Sequence, residues 1–142
     1  MPLSYVYDLE ARMLFISVGG QMTAGEVEEM FREICENGDI PNDVDAIWNL
    51  NEYGFEAAER KNFQALISRR AKRPDRSCAR IVLVAETDLG FGMCRMYQIM
   101  CDLNQTLADN TTYVARTEKE AVDWLNASQE PLTLMRQQNR QF

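Results

Sequence analysis

Histidine is absent from the 142 residues. The absence removes the commonest general base near neutral pH and the commonest metal ligand. A Ser-His-Asp or Cys-His nucleophile system is therefore excluded. So is any zinc site built on imidazole, which leaves only an all-thiolate or all-carboxylate site. Cysteine is sparse: Cys35, Cys78, Cys94 and Cys101, with no CxxC pair among them. Cys35 and Cys101 fall on apolar helix faces and Cys78 at a strand start, so buried structural thiols are expected. Neither GxGxxG nor GxxxxGK[ST] occurs, and no cofactor is implied. No apolar run approaches the ~20 residues that cross a bilayer, so no membrane span is expected. Met1 to Arg12 has neither a basic n-region nor an apolar h-region, so a cytoplasmic location is expected.

What is present is an ordinary globular composition, 46% apolar and 26% charged. A chain of this length builds a single core without disulfides or metals to hold it. The net charge is −7, unevenly spread. Residues 1–59 carry 13 acidic and 2 basic side chains. Residues 60–80 carry 8 basic and 1 acidic, and residues 81–142 carry 5 basic and 8 acidic. An acidic whole argues against nucleic acid as partner. The basic segment, with Arg69, Arg70 and Arg73, reads either as a solvated helix face and loop or as a docking face for an acidic protein surface.

Along the chain, Ser4–Asp8 and Met13–Val18 read as two strands of a hairpin, the second ended by Gly19-Gly20. Thr23-Ala-Gly-Glu26 has capping-box spacing, and Val27, Met30, Phe31, Ile34 and Cys35 make one apolar stripe up to Asn37-Gly38. Ala46–Leu50 is a short strand, Asn51–Gly54 a turn, and 56–71 a second helix. Ala79–Ala85 is a nearly continuous apolar run, the mark of a strand covered on both faces. Thr87 or Asp88 caps a long helix with Met93, Met96, Tyr97, Met100 and Cys101 inward and Leu107 at its end. Thr111–Ala115 is the last strand, and Thr117-Glu-Lys-Glu120 caps a final helix with Ala121, Val122, Trp124 and Leu125 inside. The order β-β-α-β-α-β-α-β-α predicts one α/β domain over 1–127, with a mixed sheet, an N-terminal hairpin and about four helices. Residues 128–142, rich in Gln and Arg, read as a loosely ordered polar tail.

Ligands of open α/β sheets favour the carboxyl ends of the strands and the helix N-termini there. Two segments meet that description. Asp88, Gly90, Gly92 and Arg95 join the apolar strand to the long helix, and Asn51 and Tyr53 follow another strand. They are the candidate site for a small anionic or amphipathic ligand. The bland alternative is that the glycines serve packing and the Asn-Gly residues serve turns. The methionine stripe is read as core in preference to a binding groove.

Four segments carry a family resemblance: Leu14–Thr23, Ala46–Leu50, Gly90-Phe-Gly-Met-Cys-Arg-Met-Tyr97 and Glu120-Ala-Val-Asp-Trp-Leu125. With the element order, they make residues 5–125 resemble the STAS-like fold and its SpoIIAA-like family. The resemblance implies a non-enzymatic module that docks on proteins such as kinases, anti-sigma factors or transporters. Antagonists of that group are switched by phosphorylation of a Ser at the start of the helix after the third strand. Leu50–Lys61 holds no Ser or Thr, so this switch is not carried over. The leading expectation is a regulatory or protein-interaction module, self-associating as a homodimer. The alternative is a small-ligand module, lipid-like ligands included. An enzyme would have to draw on Glu52, Glu56, Glu86 and Asp88, which show no telling spacing.

Overall fold

The hairpin at the N-terminus is set by its turn. Asp8 Oδ1 accepts from the Ala11 amide at 3.0 Å, and Arg12 takes the left-handed conformation at φ 55°. This brings β1 (Leu3–Asp8) antiparallel onto β2 (Met13–Gly20), with Leu3 opposite Val18 and Asp8 opposite Met13. The computed structural model describes residues 3–21, 23–41, 44–54, 64, 67, 68, 80–103 and 112–127.

Strand β2 pairs in parallel with β3 (Asp45–Tyr53), and both outrun the lengths read from sequence. Gly19 and Gly20 do not end β2, and Asn51 to Tyr53 is strand where a turn was expected. The cause is a register shift: Ser17 pairs with Asn49 but Gly19 with Glu52, so Leu50 and Asn51 share the place opposite Val18. Such a bulge carries the ladder on while changing which side chains face inward. Tyr53 is thereby returned to the core and Glu52 left exposed. Gly20, at φ 70°, closes the ladder by accepting the Gly54 amide at 2.9 Å.

Helix α1 (Ala24–Glu36) begins as its sequence dictates: Thr23 Oγ1 accepts from the Glu26 amide at 3.1 Å. Val27, Met30 and Ile34 are buried, with Phe31 and Cys35 half-buried beside them, and Asn37 is the C-cap. Strand β4 (Ile81–Val84) is buried at all four positions, and β5 (Thr112–Ala115) lies parallel beside it. Between them runs α2 (Asp88–Asp102), capped by Thr87, whose hydroxyl accepts from the Gly90 amide at 3.0 Å. A third helix, α3, spans 118–127. Thr117 Oγ1 accepts from the Glu120 amide as the capping spacing dictates, and Glu120 Oε2 accepts from the Arg116 amide, one residue before the cap. The sheet order is β1-β2-β3-β4-β5, with only the first pair antiparallel.

Alternation along the strands divides the core. On one face Leu14, Ile16, Val18, Trp48, Leu50, Ile81 and Leu83 meet α1 and Cys94 of α2. On the other, Met13, Ile47, Val82, Val84 and Ala115 meet Ala121 and Leu125 of α3. The strand that reads as continuously apolar is thus covered on both faces. Phe31 of α1 stands edge-on to Trp48 at 5.9 Å between ring centroids. The fold is a mixed α/β sheet with helices on both faces, as the element order implied.

Two readings are corrected. The buried stripe of α2 is Gly90, Cys94 and Cys101. Of the residues expected inward, Cys101 is buried, Met93, Tyr97 and Met100 pack half-buried against the core, and Met96 is half-buried outside those clusters. Apolar residues ring this helix, so periodicity alone did not single out one inward face. Arg80 is not solvated: it is 6% exposed and forks onto Asp45, with Nη2 to Oδ2 at 2.6 Å and Nε to Oδ1 at 3.2 Å. Its guanidinium lies 5.7 Å from the Trp124 ring, which stacks on Tyr113 at 4.5 Å. Of the expected helix 56–71, Gln64, Ile67 and Ser68 are described and helical, and Ile67 packs against Cys101. Cys78, Leu107, Arg69, Arg70, Arg73, the rest of that helix and 128–142 lie outside the described residues.

Candidate functional site at the carboxyl edge of the sheet

Strands β3, β4 and β5 run parallel, so their carboxyl ends share one edge. There the chain places a continuous polar network. Asn49 Oδ1 accepts from the Asn51 amide at 3.0 Å, and Asn49 Nδ2 donates to Glu118 Oε1 at 3.0 Å. Asn51 Oδ1 accepts from the Glu86 amide at 3.0 Å. Arg116 Nη1 donates to the Glu86 carbonyl and to Asp88 Oδ1, both at 3.0 Å. The same guanidinium sits 4.1 Å from the centroid of the Phe91 ring, a cation–π contact that fixes its plane. Three strand ends and the starts of α2 and α3 are thereby tied by side chains.

The candidates from sequence fall into two groups. Asn51 and Asp88 join the network, and Gly90 is buried beneath it with its amide on the Thr87 cap. Gly92 and Arg95 have no bond into it among those described, and Tyr53 turns inward. Tyr53 is 8% exposed in the core, and its phenol is pushed above the ordinary range by burial and then by neighbouring Cys94. Gly92 lies exposed on α2, and among the described residues a Cβ there would meet nothing within 4 Å. Arg95 reaches along its own helix to Gln98 Oε1, and Gln98 Nε2 donates to the Thr112 carbonyl at 2.8 Å. Arg116 is the residue that sequence reading missed. It follows the last strand directly, a position where a cation at a carboxyl edge was worth noting.

The charge at this edge is acidic. Within 49–52, 86–88 and 116–120, Glu52, Glu86, Asp88, Glu118 and Glu120 are acidic, and Arg116 and Lys119 basic. Lys119 is drawn off to Asp123 at 3.3 Å. Among the described residues, no three His, Cys, Asp or Glu side chains could hold a metal ion. No described helix is long and apolar enough to cross a membrane.

No family model matches the sequence, and no curated protein matches it. Among solved structures, the chain is similar to an uncharacterised protein of the DUF3478 family, with a SpoIIAA-like fold, from Shewanella loihica PV-4. The TM-score is 0.57 at 14% identity, covering 87% of this chain and 91% of that one. The likeness is one of fold. The chain shares that SpoIIAA-like fold, which the four sequence segments and the element order led us to expect.

Proposed function

We propose that the protein is a non-enzymatic interaction module of the STAS-like kind, which docks a protein partner through the carboxyl edge of its sheet. The observation that carries this reading is the network from Asn49 to Glu118. Its donors and acceptors are bonded to one another, so it fixes a surface in place of presenting a poised nucleophile or base. Five carboxylates on that rigid surface suit a basic partner patch, whose approach long-range attraction would steer. They repel an anion, so the small-ligand alternative draws no support from this edge.

The test is affinity capture from lysate of the source organism at low and high salt. The wild type is compared with the double substitution Glu86→Lys, Glu118→Lys. The expected result is a partner recovered by the wild type, lost in the variant and weakened by salt, with both proteins equally folded by circular dichroism. Equal recovery by the two proteins, or no partner at either salt, would overturn the reading.

A further inference from the structure

Helix α2 is apolar on two opposite sides. Gly90, Cys94 and Cys101 are buried, yet Leu89, Ile99 and Leu103 are 51%, 52% and 77% exposed. A helix with apolar stripes on two faces ordinarily has both of them covered. The exposed Leu89, Gly92, Ile99 and Leu103, with half-buried Met96 on the same side, fall at alternating steps of three and four. That is the a/d pattern of a helix-pairing seam, two heptads long. Gly92 is the anomaly within it. Glycine weakens a helix interior, and among the described residues nothing lies within 4 Å of where its Cβ would be.

We infer that this seam pairs with the same helix of a second copy, antiparallel about a two-fold axis beside Tyr97 and Gln98. Setting a positions against d positions in that register puts Met96 against the partner copy's Ile99. It also seats Leu103 over Gly92, where the missing side chain leaves the room. The flanking charges decide the direction. Arg95 and Asp102 both occupy g positions, which face each other across an antiparallel pair, so each Arg95 meets the other copy's Asp102, twice by symmetry. A parallel pair would set Gly92 against Gly92 and leave a hole, and would bring Arg95 against Met100 rather than Asp102. The inference adds to the interaction-module reading without resting on it. The seam lies along α2, so docking at the carboxyl edge and dimerisation are lost by different substitutions.

Sedimentation equilibrium on the full chain tests it, from about 1 to 500 μM, the range of a small interface. The expected result is a mass rising from 16.4 kDa towards twice that value. Arg95→Glu and Asp102→Arg should each weaken the dimer about tenfold, and the two together should restore it. Ile99→Asp should abolish it. All three side chains are exposed, so the variants are expected to fold. A monomer throughout the range, or a dimer that ignores Ile99→Asp and the charge swap, would overturn the inference.

Discussion

At the scale of the residue, the ion pair of Arg80 and Asp45 shows how a buried charge is tolerated. The side chains are 7% and 13% exposed, and the fork geometry satisfies two guanidinium nitrogens at once. Removing one partner leaves the other charge buried, which costs more than the pair itself contributes. Asp45→Ala is expected to lower stability by about 3–5 kcal/mol in urea unfolding. Cys94 makes the complementary point. Burial pushes its thiol from 9.0 up to about 12, so the fold holds it neutral while the unfolded chain ionises it near 9. Its contribution is complete below pH 9 and is lost as pH rises towards 12, and Tyr53 shifts in the same direction. Unfolding midpoints measured from pH 8 to 11 should therefore fall above 9. In native protein Cys94 should resist a thiol reagent that modifies it after denaturation.

At the scale of the element, starts were legible and extents less so. Thr23 and Thr117 cap their helices as spacing dictated, because a hydroxyl three residues before an orphan amide is a local arrangement. Thr23→Ala and Thr117→Ala should each cost about 1 kcal/mol in thermal unfolding. They should add in the double variant, since the two caps belong to different helices with no shared partner. The lengths of β2 and β3 were not legible, because Gly19, Gly20, Asn51 and Gly54 carry the chemistry of turns. What overrides it is non-local: the bulge opposite Val18 lets two glycines and a polar segment continue a parallel ladder. The inward face of α2 was obscured for a different reason. Its apolar residues ring the helix, and only packing against Trp48 and Leu83 distinguishes Cys94 from Met96.

At the scale of the molecule, the alternation of elements sufficed for the architecture, since parallel strands joined by helices admit few topologies. The candidate site was only half legible for the same reason. Position at strand ends picked out Asn51 and Asp88, but the partner that joins them, Arg116, comes from 28 residues beyond Asp88. The self-bonded network and the acidic edge are the grounds on which we propose a protein-docking surface over a small-molecule site. Native mass spectrometry of protein purified without added ligand puts that choice to the test most directly. The expected spectrum holds the bare chain at 16.4 kDa and its dimer, with no retained mass. A stoichiometric adduct of small-molecule size, surviving purification, would contradict the account and name a ligand module instead.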